Sequence, residues 1–150
     1  MMGAEARVYL PNRFTDGYGP NESVYKYFIE QEGISLIVTV DNGVAGNEAI
    51  AYAQEQGVDV IVTDHHSMPA QLPDAYAIVH PEHPDADYPF KYLAGCGVAF
   101  KLATALLETI PTEMLDLVAI GTIADMVSLT DENRIMVKVG LEILKTTERI

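Results

Sequence analysis

The chain has 150 residues, of which 49% are hydrophobic, and this size and composition suit one domain with a substantial core. Nine Lys and Arg residues against 22 Asp and Glu residues give a net charge of -13, which argues against independent binding to a phosphate backbone. A single cysteine excludes an internal disulfide, and no apolar run approaches the roughly 20 residues of a membrane span, so we expect a soluble, cytoplasmic protein.

The amino-terminal part is predicted to contain one short strand, a turn-rich loop and one helix. The strand covers residues 5–10, and the following loop, up to residue 20, is rich in glycine and proline. Arg13 lies in this loop, where a phosphate-binding role and a plain solvated cation are both open interpretations. The helix is expected from Glu22 to about Glu32, because Asn21 can cap its start and Gly33 can end it.

Two stretches of the sequence, residues 33–41 and residues 57–65, repeat one pattern without gaps. Each begins with a glycine, continues as an apolar, β-branched run and ends at a metal-ligand side chain. Such runs are typical of parallel strands covered on both faces, and residues 43–56 between them are long enough for a crossover helix. In this register Asp41 and His65 lie at equivalent positions at the carboxyl ends of neighbouring strands, about 4.8 Å apart.

The middle of the chain is predicted to hold a third short strand, a histidine-containing loop and a helix. The strand covers residues 75–79. His80 and His83 follow in a proline-broken loop without fixed spacing, which favours surface histidines over metal ligands. The helix runs from Gly95 through Leu107, and the lone Cys96 at its start is interpreted as a small packing residue rather than a reactive thiol.

Two further helices are predicted in the carboxyl-terminal part. Thr112 is expected to cap the first, and its core positions recur at helical spacing at Leu115, Val118, Ala119 and Thr122. This helix ends at Asp125, where a carboxylate opposes the helix dipole and lies in apolar sequence. That double cost favours a metal ligand over a hydrogen-bonded structural residue. The last helix is expected from about Glu132 to Thr146, with a buried side formed by Ile135, Val139 and Leu144.

The polar residues at these predicted element ends form one candidate site. Asp41, His65 and Asp125 supply a mixed oxygen and nitrogen ligand set that suits divalent ions such as Mn²⁺. His66 follows His65, so on an extended chain it points to the other side, where it can donate to a bound oxyanion. Asp64 is the expected acceptor that orients an imidazole. A metal-bound water near neutral pKa and a cation beside a phosphoryl group favour phosphoester hydrolysis.

The motifs of this site, in this order, resemble the DHH phosphoesterase superfamily, and within it the single-stranded-DNA exonucleases. The resemblance rests first on Asp64-His65-His66, with Val40-Asp41-Asn42-Gly43 before it and Gly121-Thr122-Ile123-Ala124-Asp125 after it. It extends over essentially the whole chain through further stretches: Pro11-Asn12-Arg13-Phe14, Gly17-Tyr18-Gly19, Gly95-Cys96-Gly97-Val98-Ala99-Phe100-Lys101-Leu102 and Glu132-Asn133-Arg134.

This resemblance implies a Rossmann-like parallel sheet flanked by helices and a Mn²⁺- or Mg²⁺-dependent exonuclease that degrades single-stranded DNA from the 5′ end, in recombination and repair. It implies that Asp41 bridges two metal ions and that His65 and Asp125 bind one of them. His66 is expected to contact the scissile phosphate, and Asp64 is expected to support the site. A phosphatase acting on small phosphoesters or pyrophosphate, and a non-catalytic scaffold with the same fold, are the alternatives.

One family motif has no match. An Asp-x-Asp after the first strand is expected before residue 1, and a substrate-clamp domain after residue 150. Residues 1–150 are therefore expected to be a partial DHH domain that lacks the first strand and is inactive in isolation. Loss of that strand is expected to leave residues 5–10 without a neighbour and the sheet edge near Val38 open. We expect either a displaced amino-terminal segment or self-association through this edge.

Overall fold

Short apolar runs form strands and amphipathic segments form helices as far as Val79, and the elements after that residue in the described part of the chain are all helices. The computed structural model describes residues 3–149. Its helices are α1 (Glu22–Glu32), α2 (Asn47–Glu55), α3 (Gly95–Leu107), α4 (Leu115–Ala124) and α5 (Asp131–Leu144), and its strands are β1 (Leu36–Val40), β2 (Asp59–Thr63) and β3 (Ala77–Val79). The strands form a parallel sheet in the order β1-β2-β3, which confirms the predicted α/β class. None of the described helices is long and apolar enough to cross a membrane.

Local signals at the two ends of α1 set its bounds. The side-chain oxygen of Asn21 accepts a hydrogen bond from the backbone N–H of Ser23 at 2.8 Å. Gly33 ends the helix in the left-handed conformation, with φ 64°, which a glycine adopts without steric cost. The predicted bounds of α1 and α3 are confirmed, whereas β3 begins at Ala77 rather than at residue 75.

The register of the sheet differs by one residue from the gapless repeat. The repeat pairs Leu36 with Val60, but the structure pairs Leu36 with Asp59 and Ile37 with Val60. A one-residue shift moves every side chain to the opposite face, so burial decides the register and sequence similarity does not. The observed register places Ile37 beside the fully buried Val60 on the face that α1 and α2 cover.

Two apolar clusters hold the described part of the chain together. The first lies between the sheet and helices α1 and α2, and its buried members are Tyr25, Ala49, Ile50, Ala53, Val58, Val60 and Val62. The second joins α3, α4 and α5 to the preceding loop, and its buried members are Phe90, Leu93, Val98, Phe100, Leu115, Val118 and Met136. The second cluster reaches the other face of the sheet at Val79 of β3. The carboxyl ends of the strands therefore lie between two packed groups of helices.

Strand β1 is covered on one face only, so the prediction of burial on both faces is wrong for this strand. Leu36, Val38 and Val40 are 50%, 46% and 53% exposed. Their face lies opposite α1 and α2, and the second cluster covers the sheet at β3 rather than at β1. Only β2 borders β1, so the edge near Val38 is open as expected, while pairing of this edge with another chain stays a prediction.

The predicted strand at residues 5–10 does not form. These residues are exposed and pair with none of the three strands. The Tyr9 ring, with its centroid 5.3 Å from that of Phe28, and an ion pair between Arg7 and Glu32 attach the segment to α1. A strand needs a partner for its backbone hydrogen bonds, and the segment has no such partner here. The outcome agrees with the expected displaced amino-terminal segment.

The carboxyl-terminal helices differ in part from the prediction made from the spacing of apolar residues. A 3₁₀ turn at Thr112–Met114 precedes α4, so Thr112 does not cap it, although the predicted core positions of α4 are buried. In α5 the predicted side is wrong, because Ile135 is 62% exposed and Val139 is also exposed. The buried face is formed by Asn133, Met136, Val137 and Gly140. At Gly140 a side chain would overlap the backbone of Leu115, so the absence of a side chain selects this face.

Replacement of Gly140 by alanine is expected to destabilise the protein. The added methyl overlaps the carbonyl oxygen of Leu115 in α4, so the two helices must separate, at a cost of about 1–3 kcal/mol. This exceeds the gain in helix propensity, which is about 1 kcal/mol. Urea unfolding followed by circular dichroism measures the change in the free energy of unfolding.

The matched control is Gly97→Ala in α3, where the added methyl meets its nearest atom at 3.4 Å, an ordinary contact. This variant is expected to be as stable as the wild type or slightly more stable. Equal stability of Gly140→Ala and Gly97→Ala would contradict the close approach of α4 and α5.

Candidate metal centre

The site forms where the backbone leaves the carboxyl ends of β1 and β2. Asp41 follows β1 with φ 57°, a left-handed conformation that aspartate tolerates better than most residues. The chain then crosses the end of β2, where Asn42 forms an isolated antiparallel bridge with Thr63. This turn brings Asp41 to His65 even though the strand register differs from the predicted one.

The three predicted metal ligands converge. His65 Nε2 lies 3.0 Å from Asp41 Oδ1 and 3.4 Å from Asp125 Oδ2. Asp125 reaches the site because it directly follows α4, at the helix end where it was predicted. The candidate ligand atoms of Asp41, His65 and His66 all lie within 4.8 Å of one another. Residues from two strand ends and one helix end therefore form one cluster.

His66 does not point away from this cluster, so the prediction from strand alternation is wrong. The rings of His65 and His66 have centroids 4.7 Å apart, and His66 Nδ1 lies 4.0 Å from Asp41 Oδ1. The reason is local, because Asp64 Oδ1 accepts hydrogen bonds from the backbone N–H groups of both histidines, at 2.7 and 3.1 Å. This side-chain turn ends the extended conformation before His66.

Asp64 is a buried carboxylate with all of its bonds directed to the site. Oδ1 also lies 2.7 Å from His66 Nδ1, and Oδ2 accepts from the backbone N–H of Val44 at 2.9 Å. Burial alone raises the pKa of Asp64, but the hydrogen bonds from Val44, His66 and His65 outweigh it and leave the pKa below its ordinary value. Because Asp64 is ionised, His66 Nδ1 is the donor and its Nε2 is left for another partner.

The geometry around His65 fits a cation. Its Nε2 is buried and, within residues 3–149, makes no hydrogen bond of acceptable direction, although two carboxylate oxygens lie close to it. The Asp41 carboxylate raises the pKa of His65 above its ordinary value, burial opposes this, and the charges of Asp125 and Asp64 add to the increase. Among the described residues, the ligand atoms within mutual reach of one ion are those of Asp41, His65 and His66, and Asp125 contacts this group through His65. Mixed N and O ligands of this kind suit Mn²⁺.

Helix α3 begins directly against Asp41. A side chain at Gly95, the first residue of α3, would overlap the Asp41 side chain, so only glycine allows this approach. The positive end of the helix dipole therefore lies beside the carboxylate. The sequence predicts Gly95 as the start of a helix and as part of a family-like stretch, but not its contact with Asp41. Cys96 next to it has Sγ 3.5 Å from Val118 O and 3.5 Å from Thr122 Oγ1, and burial raises the pKa of its thiol, as expected for a packing residue.

His80 is buried rather than on the surface, so that prediction is wrong. It is 5% exposed, its Nδ1 accepts from the backbone N–H of Glu82 at 3.0 Å, and its Nε2 lies 2.8 Å from the carbonyl oxygen of His66. Since Nδ1 accepts, Nε2 carries the proton and donates to His66. His80 directly follows β3, so its place at the same sheet edge was the available signal. The His83 ring accepts a local hydrogen bond at Nδ1, from the backbone N–H of Asp85 at 3.2 Å.

Arg13 contacts a tyrosine of its own loop, and both of its interpretations stay open. Its Nη2 donates to the hydroxyl of Tyr18 at 2.5 Å, and its guanidinium lies 4.6 Å from the centroid of that ring. Both residues are exposed in the loop before α1. The stacked pair holds the arginine as a loop cation.

Comparison with known proteins gives a consistent result. The chain is 54% identical over 149 residues to the single-stranded-DNA-specific exonuclease RecJ of Bacillus subtilis, covering 99% of this chain and 19% of that protein. It is 46% identical over 145 residues to RecJ of Haemophilus influenzae, covering 88% of this chain and 25% of that protein. The chain thus spans about a fifth to a quarter of the length of these relatives.

Solved structures of similar proteins contain manganese. A crystal structure of exonuclease RecJ bound to manganese matches with a TM-score of 0.76 and 38% identity, covering 89% of this chain and 34% of that one. RecJ from Thermus thermophilus in complex with Mn²⁺ matches with a TM-score of 0.71 and 36% identity, covering 83% of this chain and 19% of that one.

A family model described as the amino-terminal domain of the DHH family matches residues 1–122. That match includes Asp41 and the Asp64-His65-His66 motif, which the fold brings together at the strand ends. Since the matched region is most of the chain, the chain belongs to the DHH family.

Proposed function

We propose that this chain is the metal-binding part of a single-stranded-DNA-specific exonuclease, a hydrolase of phosphodiester bonds that works in the cytoplasm in DNA recombination and repair. One observation supports it above the others. The buried His65 Nε2 has no hydrogen bond within the described residues and lies between the carboxylates of Asp41 and Asp125. The names of the RecJ relatives and the manganese in two similar structures support the same reaction and the same ion.

The proposed roles follow from the contacts. Asp41, His65 and Asp125 would hold Mn²⁺ or Mg²⁺, which supplies a hydroxide nucleophile and offsets charge on the phosphoryl group. Asp64 accepts from His66 Nδ1 and leaves Nε2 free, and in the imidazolium form Nε2 also carries a hydrogen and would donate it to a non-bridging phosphate oxygen. His80 holds the carbonyl of His66 and thereby positions the same residue. Both supports restrict His66 to one orientation, which lowers the entropy cost of meeting the phosphate.

A second ion is part of the proposal. We assign to Asp41 the role of bridging two ions, as the family resemblance implies, and the 49% exposure of its side chain leaves room for a second ion. The described residues supply a ligand set for one ion, and we propose that carboxylates outside residues 1–150 complete the second. We therefore propose that the isolated chain binds metal but does not degrade DNA.

Manganese binding by the chain is expected to depend on His65. In His65→Ala the site loses its nitrogen ligand. Loss of a residue that only supports a ligand lowers metal affinity about 10- to 100-fold, so we expect the loss of Mn²⁺ affinity here to be larger than that. Isothermal titration calorimetry measures the change. His83→Ala is the matched control, because His83 makes only a local contact. Equal affinity in the two variants would favour the non-catalytic scaffold.

Protonation of His65 is expected to compete with the metal. In the metal-free chain its pKa lies above 6.5, chiefly because of Asp41, and Asp41→Asn is expected to lower it. Because the folded-state pKa is raised, His65 stabilises the fold fully below the unfolded pKa, and this stabilisation is lost as the pH rises through the folded pKa. NMR titration of the His65 ring measures its pKa in the wild type and in Asp41→Asn. An unchanged pKa in Asp41→Asn would contradict the geometry.

Activity is best tested in a chimera in which this chain replaces the 54% identical segment of the Bacillus subtilis exonuclease. The chimera is expected to degrade single-stranded DNA from the 5′ end with Mn²⁺ and to leave duplex DNA intact. His66→Ala in the chimera removes a donor to the phosphate and should lower the rate about 100- to 1,000-fold. His83→Ala should not change it. A folded chimera that prefers pyrophosphate or dinucleotides would support the phosphatase alternative.

A further inference from the structure

A cleft of about 250 Å³ opens beside the metal centre. One end is formed by His65, and its walls carry the side chains of Lys91, Tyr92 and Ser128 together with those of Ser67 and Glu82. None of these wall residues belongs to the metal cluster. The volume is below the roughly 300–1,000 Å³ of pockets that hold whole small-molecule ligands, so the cleft suits a single base.

The ring of Tyr92 is exposed and yet held in place. The side chain is 63% exposed, although the residues next to it pack into the second apolar cluster. The buried ring of Phe90 meets that of Tyr92 edge-on, with centroids 5.8 Å apart and an interplanar angle of 74°. An aromatic face of this kind keeps most of its area for a partner while losing little entropy on binding.

A buried amide fixes the two walls of the cleft relative to each other. The Nδ2 atom of Asn133, a fully buried residue of α5, donates to the carbonyl oxygens of Tyr92 at 2.6 Å and of Ser128 at 3.0 Å. These two carbonyls belong to opposite sides of the chain fold, before α3 and after α4. The width of the cleft is therefore set by one side chain rather than by flexible loops.

Lys91 is a cation without an internal partner. Five of the nine Lys and Arg side chains form ion pairs with carboxylates. Lys91 is partly buried and has no carboxylate within 4.0 Å among residues 3–149, although Glu82 lines the same cleft. In a chain with a net charge of -13, a cation held beside the metal centre is suited to receive an external anion.

We infer that this cleft binds the nucleotide next to the scissile phosphate of single-stranded DNA, with its base stacked on Tyr92 and a neighbouring phosphate paired with Lys91. The inference rests on the proposed function and adds to it the residues that recognise the strand. Stacking requires an unpaired base, which a duplex does not offer, and it tolerates all four bases. The cleft thus provides a physical reason for single-strand preference without sequence preference.

The test uses the 150-residue chain with Mn²⁺ and a phosphorothioate-linked trinucleotide that contains 2-aminopurine, whose fluorescence is quenched by stacking. The wild-type chain is expected to bind the trinucleotide and to quench the 2-aminopurine fluorescence. Tyr92→Leu should weaken binding about five- to tenfold and abolish the quenching, whereas Tyr92→Phe should retain both. Lys91→Gln should lower the slope of log affinity against log salt by about 0.7, the value for one contact to a single strand.

The matched controls are Tyr76→Leu, an exposed tyrosine at the amino end of β3, and Lys138→Gln, an exposed lysine of α5. Both should bind as the wild type does, and circular dichroism confirms folding of each variant. Absence of binding in the wild type, or equal loss in Tyr92→Leu and Tyr76→Leu, overturns the inference. Calorimetry with Mn²⁺ on the same samples distinguishes failure of this inference from failure of the proposed function. Absence of metal binding would contradict the proposed function, whereas metal binding without binding of the trinucleotide would contradict this inference alone.

Discussion

The site is built around one buried carboxylate. Asp64 is 1% exposed, and burial of an unpaired carboxylate would cost several kcal/mol, so its bonds decide whether this arrangement is stable. It accepts from the backbone of Val44, from the backbones of His65 and His66, and lies against the His66 ring. These bonds connect the turn after β1 to the turn after β2. A single side chain therefore both holds the two loops together and points the histidines toward Asp41.

The proposed phosphate chemistry requires cations to offset the acidic surroundings of the site. Without a cation between them, Asp41 and Asp125 repel each other and would repel a phosphate. Their negative charges also contribute to the raised pKa of His65. Bound cations would reverse the local sign where substrate must approach. Lys91 adds a protein cation at the adjacent cleft. With a net charge of -13, most of the surface repels nucleic acid, and the proposed metal centre is the place where bound cations would offset that repulsion.

The sequence by itself determined those features that depend on neighbouring residues. Asn21 and Gly33 mark the ends of α1, because capping and left-handed backbone are local effects. Apolar runs ending in polar residues predict parallel strands, and the carboxyl ends of such strands meet at one edge. From this rule Asp41 and His65 were expected together, and the cost of a carboxylate at a helix end added Asp125. The class of fold needed no tertiary information, and neither did the choice of candidate ligands.

Only the tertiary structure decided features that depend on residues far apart in the chain. Register follows which face is buried, so Leu36 pairs one residue away from the position that sequence similarity predicts. His80 is buried because the sheet edge brings it to His66; its position after β3 indicates that edge, but the contact itself forms only in the folded chain. The buried face of α5 is determined by Gly140, because two helices can approach closely only where no side chain separates them. Hydrophobic periodicity does not predict this, since glycine adds little to an apolar pattern. Local rules act through adjacent residues, whereas packing depends on shapes that meet only in the folded chain.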